Sequence, residues 1–401
     1  MLKKNKSLAI TIFIFIIMAV IAIVDNTKGI FVPVFKETFN TNNTSMGMLL
    51  SVCSLGYIIF TYVGGILCEK FGQRNVICAG LFTIIASVLV VAFSKTYTIL
   101  LIGMFLINVG IAFVMIGVNT LIPALFITFQ AIMMNSAHCF YGFGSTVGQF
   151  VIGNILDNGI EWRNIFFGIA MIFIAVSIIF FFIKIPKLNI TKEESKVNIS
   201  LAFKEKYMYI YAIGLGTYVF AEMGMSNWIV NFLMESYNFT SSKGAMFLSA
   251  FFFLLTIGRL LGGFVAEKLG YLQAVLYSLT IAVILLVIAL IVGNSALILI
   301  CIAGLFFAIA YPTVVATIGK VFKDNSSYIT GLILTLSSTI SMILNLLMGR
   351  LNDIIGTTKT FYLIPISLSV SILFILLIYR GNYNVFKMGG NKVEQWKSSK
   401  Y

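Results

Sequence analysis

Long apolar runs, each roughly 20 residues, follow one another along the whole chain. Runs of that length match helices crossing a hydrocarbon core about 30 Å thick. The pattern predicts spans at 8–35, 45–67, 75–93, 97–122, 130–156, 162–183, 207–233, 243–266, 271–293, 296–319, 327–350 and 360–380. A membrane β-barrel would instead show alternating segments of about 10 residues, and none recurs here. The expected fold is therefore an all-α integral membrane protein of twelve helices, since a helix satisfies its own backbone groups inside lipid. The first run, Leu8 to Val24, follows Lys3, Lys4 and Lys6 in the manner of a signal peptide. Asp25-Asn26-Thr27-Lys28 follows it in place of a small-x-small cleavage site, so it reads as a retained helix.

Charge then sets the orientation. Apolar residues make up 60 % of the chain and charged ones only 10 %, too few to cover a soluble domain of 401 residues. The net charge of +13 could point to nucleic acid, but the basic residues gather in alternate loops. One set comprises the N-terminal tail, Lys70 and Arg74 in loop 2–3, and the stretch Lys184 to Lys206. It continues with Arg259 and Lys268 around loop 8–9, Lys320 and Lys323, and the C-terminal tail. Only Lys36, Lys95, Arg163, Lys243, Arg350 and Lys359 fall on the other side. This bias places both termini in the cytoplasm, with lipid and not nucleic acid as the surrounding partner. The Lys-, Ile- and Asn-rich tails and the lack of a recognisable targeting signal lead to the expectation of a bacterial plasma (inner) membrane. The tail from Gly381, with Lys387, Lys392, Lys397 and Lys400, is expected to lie as a disordered arm near anionic lipid. Cys53, Cys68, Cys78, Cys139 and Cys301 form no CxxC pair and read as packing residues, not as a metal or disulfide framework.

The charged stretch between spans 6 and 7 divides the chain. Residues 1–186 read as an N-terminal six-helix bundle, 187–206 as a cytoplasmic linker, 207–380 as a C-terminal six-helix bundle and 381–401 as a tail. The halves repeat. Gly64-Gly65-Ile66-Leu67-Cys68-Glu69-Lys70-Phe71-Gly72 matches Gly262-Gly263-Phe264-Val265-Ala266-Glu267-Lys268-Leu269-Gly270, and Gly153-Asn154-Ile155-Leu156-Asp157 matches Gly349-Arg350-Leu351-Asn352-Asp353. Both matches are separated by about 197 residues, which indicates an internal duplication.

The GxxxEKxG stretch of loop 2–3 resembles the signature loop of the major facilitator superfamily, with Glu69 where Asp is commoner. The resemblance implies two pseudo-symmetric six-helix bundles. It also implies a cytoplasmic gate, closed in the outward-open state, made by Gly65, Glu69, Lys70, Gly72, Arg74, Gly263, Glu267 and Lys268. The glycines would permit close helix approach. A narrower likeness is to the fucose permease-like branch, which includes sodium-dependent glucose transporters. It is carried by Asp25-Asn26-Thr27-Lys28-Gly29-Ile30-Phe31-Val32-Pro33, by Asn135-Ser136-Ala137-His138 with Phe140-Tyr141-Gly142-Phe143-Gly144, by Tyr218 to Trp228, and by Tyr311-Pro312-Thr313. That branch mostly moves sugars with a proton or a sodium ion. Its acid stands four residues before the first-helix proline; here that place is Gly29, and Asp25 lies one turn earlier.

Ionisable residues deep in a span cost several kcal/mol unless paired or wet. Asp25, Lys28, His138 and Glu222 are read as such residues. Asp25 and Glu222 stand at the repeat spacing, as do Gln149 and Asn345. His138, Gly142, Ser145 and Gln149 share one helical stripe; so do Asn108, Met115 and Asn119, Tyr218, Glu222 and Ser226, and Ser338, Ser341 and Asn345. Amides and hydroxyls on inward stripes suit a polyhydroxyl solute, and they also suit interhelical hydrogen bonding. The expected substrate-binding set is Asp25, Asn26, Asn119, His138, Gln149, Glu222, Asn227, Trp228, Tyr311 and Asn345. Trp228 is read either as a ring that stacks on a sugar or as an interfacial anchor.

The expected ion-coupling set is Asp25, Lys28 and Glu222, since either acid could take a proton in one state and release it in the other. Asp25 is assigned the leading role with Lys28 modulating it, and Glu222 also the acceptance of substrate hydroxyls. Asp25 and Lys28, three apart on a helix, could equally neutralise each other. The function expected is secondary active transport of a sugar or related polyol, as a proton or sodium symporter and a monomer, by alternating access. The rival is drug or metabolite efflux, although Gln149 stands where such antiporters carry the proline of GxxxGP. An enzyme or sensor is a remote third, because the spans hold no metal cluster or acid pair. No cofactor is expected beyond the coupling ion.

Overall fold

A computed structural model of the protein describes residues 4–125, 130–183, 185, 205–322 and 326–382. The described residues form helices joined by short turns, with no strand among them. Span 1 is broken into Lys4–Asn26 and Lys28–Phe39. Spans 2 to 6 are Asn43–Phe71, Gln73–Ala92, Tyr97–Leu125, Gln130–Asp157 and Trp162–Phe182. Spans 7 to 9 are Lys206–Tyr237, Ser241–Leu269 and Tyr271–Val292. Span 10 is broken into Ile298–Phe307 and Ala310–Val321, span 11 is Ser326–Ile355, and span 12 combines Thr357–Thr360 with Leu363–Gly381. The expected linker at 187–206 lies outside the described residues up to 204, and the expected tail at 381–401 lies outside them from 383.

Ten of the helices are long and apolar enough to cross a membrane. Gln130–Asp157 and Lys206–Tyr237 are not among the ten. These are spans 5 and 7, the helices whose polar stripes stand out in the sequence. Their weak apolarity and their site residues are one property: a polar side chain in a span needs a protein partner or a wet cavity.

The chain falls into two compact units that do not follow chain order. Unit one holds the described residues of Met1–Lys192, Ser226–Phe252 and Asn345–Thr360. Unit two holds those of Glu193–Met225, Phe253–Leu344 and Phe361–Tyr401. Spans 7, 8, 11 and 12 thus each lend one end to unit one. In unit one Phe13 stacks on Phe180 with centroids 4.5 Å apart, and Phe31, Phe35, Trp162 and Phe166 pack ring against ring. In unit two Tyr218 packs on Phe307 and Tyr211 on Phe322.

The duplication seen in two short motifs extends into backbone geometry. Asn40 and Asn238, which end spans 1 and 7, both adopt the left-handed conformation, with φ of 49° and 54°. Two residues on, Asn42 and Thr240 each cap the next helix, accepting from Ser45 N at 2.9 Å and Lys243 N at 3.2 Å. Gly72 and Gly270 have φ of 82° and 91°, and donate their N–H to Cys68 O and Ala266 O at 2.9 and 3.0 Å. Glycine is favoured at both because a Cβ is strained at that φ. Gly159 and Gly356 form a further pair, at 77° and 83°.

The same comparison corrects one expectation. A Cβ at Gly65 or Gly263 would meet nothing within 4 Å. The close approaches belong to their neighbours: Gly64 faces Ile116 Cγ2 and Phe113, and Gly262 faces Ile309. In this conformation the first glycine of each pair is packed and the second stands open.

Candidate functional site

In unit one the site grows from the break in span 1. Thr27 leaves the helical run, with ψ near −1°, and its hydroxyl folds back to Ile23 O at 2.6 Å. Ile30 N bonds Thr27 O at 3.0 Å, and the carbonyl of Asn26 accepts Gln149 Nε2 at 3.3 Å. A side chain from span 5 thus supports the interrupted backbone, as non-helical backbone within a membrane requires. Asn26 Nδ2 lies 2.9 Å from both Tyr141 Oη and Ser145 Oγ. Tyr141 donates to Asp25 Oδ2 at 2.6 Å, and Lys28 Nζ donates to Asp25 Oδ1 at 2.6 Å and to Asn108 Oδ1 at 2.8 Å. Both Asp25 oxygens are engaged, and the self-neutralising pair admitted by the spacing is present. Gln149 is fully buried and its Oε1 has no partner; Asn119 Oδ1 is likewise buried and unpartnered.

Unit two carries a second acid, cation and tyrosine. Glu222 is 7 % exposed. Its Oε1 accepts from Arg259 Nη2 at 2.9 Å and its Oε2 lies 2.6 Å from Tyr218 Oη. Tyr218 Oη is also 2.8 Å from the carbonyl of Phe307, where span 10 unwinds through Ala308 and Ile309 ahead of Pro312. Tyr311 lies within electrostatic reach of both Glu222 and Arg259. Arg259 corrects the sequence reading, which counted it among the charges around loop 8–9. It sits inside the helix Ser241–Leu269, about 15 Å along the axis from its end. The signal was available in that depth, but the Gly-rich run from Gly258 to Gly263 resembles a loop approach. The two acids match by the repeat, yet their partners do not: Lys28 shares the span of Asp25, across its break, whereas Arg259 comes from the span after that of Glu222.

One end of unit one joins spans from both halves of the sequence. Asp157, at the end of span 5, accepts from Ser242 N at 3.0 Å at the start of span 8. Asp353, at the end of span 11, accepts from Asn43 N at 2.9 Å, Thr44 N at 2.7 Å and Thr44 Oγ1 at 2.5 Å at the start of span 2. These are one interaction made twice, at the repeat spacing. A carboxylate meets the exposed N–H groups and positive dipole end of a helix. Lys36 pairs with Glu235 and also donates to Asn43 Oδ1 at 2.8 Å. Asn227 Nδ2 reaches Asn345 Oδ1 at 3.3 Å. Gly29 lies flush against the backbone of span 7, so that a Cβ would strike Ser226 O and stand 3.1 Å from Asn227 Cα. In this packing Gly29 has no room for an acid.

Asp157→Ala and Asp353→Ala are each expected to weaken this end by about 1–2 kcal/mol. A cysteine in place of Thr41, in the turn after span 1, would report it through faster reaction with an impermeant maleimide. Unchanged labelling in both variants would show that the carboxylates do not hold the end shut.

The remaining expected residues are placed as follows. His138 is exposed. Trp228 is 1 % exposed with Nε1 unpartnered, which rules out a lipid-facing anchor and leaves no open face for stacking in this conformation. Glu69, Lys70, Glu267 and Lys268 are exposed and in no ion pair among the described residues. Arg74 donates to Phe181 O at 3.2 Å, at the end of span 6.

The model of the Major Facilitator Superfamily matches residues 14–337. A glucose/galactose transporter of Brucella abortus is 25 % identical over 363 residues, covering 84 % of this chain and 86 % of that protein. The cis,cis-muconate transport protein of Acinetobacter baylyi is 24 % identical over 253 residues, 59 % of this chain and 60 % of that one. Among solved structures, a bacterial homologue of the human lysosomal transporter Spinster superposes with a TM-score of 0.75 at 15 % identity, covering 96 % and 98 % of the two chains. A variant of the E. coli fucose:proton symporter gives 0.64 at 18 % identity, covering 93 % and 99 %. Helices, internal duplication and family match converge: the chain is a multi-pass membrane transporter belonging to the Major Facilitator Superfamily.

Proposed function

We propose that this transporter moves a sugar or related polyol across a bacterial plasma membrane by alternating access, as a monomeric symporter driven by a proton or sodium gradient. The observation that carries the reading is the polar set at the break in span 1. Gln149 Oε1 is a buried acceptor without a protein donor, on a side chain that reaches the break beside Asn26 and Ser145. A polyol hydroxyl donates and accepts at once, so it can satisfy an orphan amide oxygen and still accept from a neighbour. The glucose/galactose relative supports the same class, and the order of motifs supports the fucose permease-like branch.

The charge bias of the loops supports cytoplasmic termini. The end held by Asp157, Asp353 and the Lys36–Glu235 pair is then extracellular and shut, and the exposed Glu69, Lys70, Glu267 and Lys268 belong to the cytoplasmic gate. The test is uptake of labelled hexoses, deoxyhexoses and amino sugars into proteoliposomes under an imposed pH or sodium gradient. Gradient-driven accumulation of one sugar supports the reading. No uptake of any member under either gradient overturns it and directs attention to efflux.

A further inference from the structure

Counting protons around the two buried acids separates their roles. Tyr218 Oη lies 2.6 Å from Glu222 Oε2 and 2.8 Å from Phe307 O. A phenol has one proton to donate. With Glu222 ionised, both neighbours are acceptors, and one of the two short O···O contacts has no hydrogen in it. With a proton on Glu222 Oε2, both contacts are made: the carboxyl donates to Tyr218 Oη, and Tyr218 donates to Phe307 O. Glu222 Oε1 keeps its bond from Arg259 Nη2 in either state.

Asp25 offers no such place. Its Oδ1 accepts from Lys28 and its Oδ2 from Tyr141, and the Tyr141 oxygen is within reach of the Asn26 amide donor. Every contact there is complete with the carboxylate ionised, and an added proton would have to displace a donor.

We propose that Glu222, not Asp25, is the group that takes up and releases the coupling proton, and that Tyr218 reports its state to the break in span 10. This deepens the symport reading above and rests on it. The proton comes from water on one side of the membrane and joins the carboxylate to give a neutral carboxyl. It returns to water on the other side, restoring the carboxylate, while Tyr218 swings its own proton between Glu222 and Phe307 O without losing it. The titratable or charged groups facing Glu222 are Tyr218 on its own span, Arg259 on span 8 and Tyr311 on span 10. In the loaded state the Phe307 carbonyl, at the end of a helical segment, gains a firm donor from span 7. In the empty state Tyr218 is shared with a carboxylate that competes for it. Proton occupancy and the geometry of the broken span are linked in this way. The leading coupling role read from the sequence for Asp25 thereby passes to Glu222, and Asp25 and Lys28 form a fixed ion pair that props up the break in span 1.

The test needs no transported solute. Infrared difference spectra of the full-length protein in lipid, titrated from alkaline to acid, report each carboxyl as it becomes protonated. A protonated-carboxyl band present in the wild type should vanish in Glu222→Gln, an isostere of the protonated form. The band should persist in the double variant Asp25→Asn with Lys28→Gln, which removes the other pair without stranding a charge. Tyr218→Phe, which deletes the acceptor of the carboxyl proton, should move the same band to higher frequency. A wild-type spectrum identical to that of Glu222→Gln, a band lost only in the double variant, or a band indifferent to Tyr218→Phe would each overturn the assignment. Because no sugar is present, failure here leaves the uptake result standing, and failure of the sugar panel leaves this result standing.

Discussion

Asp25→Asn is expected to yield a protein that folds poorly. The substitution leaves the Lys28 ammonium, 12 % exposed, with no charged partner and only neutral amide oxygens to donate to, that of the introduced amide and that of Asn108. Breaking a buried pair from one side costs about 3–5 kcal/mol, because the remaining charge stays desolvated and uncompensated. Asp25 is 26 % exposed, so the lower part of that range applies. Removing both charges, with Lys28→Gln added, strands nothing and is expected to recover most of the loss. The two variants are to be compared by thermal denaturation in detergent. A wild-type melting point for Asp25→Asn alone would mean that the pair does not hold the break in span 1.

Gly29→Ala is the second substitution with a large expected effect. The added methyl has no free volume, since backbone atoms of span 7 occupy it, and backbone does not swing aside as a flexible side chain can. Overpacking of this kind costs about 1–3 kcal/mol. Here the cost falls on one conformation only, the one in which the ends of spans 1 and 7 touch. A bias of that size changes the ratio of shut to open forms by roughly 5- to 150-fold. Impermeant labelling of a cysteine at Thr41 should rise accordingly while thermal stability changes little. Slower or unchanged labelling would show that spans 1 and 7 part without regard to this contact.

Much of the architecture was legible in the apolar pattern. Span boundaries fall within a few residues of expectation because hydrocarbon thickness sets helix length whatever the tertiary contacts are. The duplication was visible in two motifs because glycines at positive φ and helix-capping carboxylates are positions where few residue types work. The matched acids were legible for the same reason: a charge in a span is rare enough to stand out.

Partners were not legible. Tyr141 meets Asp25, and Arg259 meets Glu222, across separate helices, and side-chain periodicity on one helix carries no information about the facing one. Arg259 was hidden by the glycines around it. The break before Pro312 is announced by the proline. The break at Thr27 has no such marker, and depends on Gln149 reaching it from span 5. Which glycine of each Gly-Gly pair is packed depends on Phe113, Ile116 and Ile309, residues far from it in the chain.

The pairing of Asp25 with Lys28 and of Glu222 with Arg259 has an electrical consequence. With both carboxylates ionised, these four groups sum to zero, and a membrane potential exerts no net force on them as the transporter turns over empty. A proton on Glu222 leaves the Arg259 guanidinium unbalanced, and the loaded carrier bears a single positive charge. A full charge moving through 100 mV gains about 2.3 kcal/mol. Under the proposed proton symport, a negative-inside potential would therefore accelerate the inward step of the loaded form and leave the empty return untouched. Uptake should rise with voltage only until that return limits the cycle, and then level off.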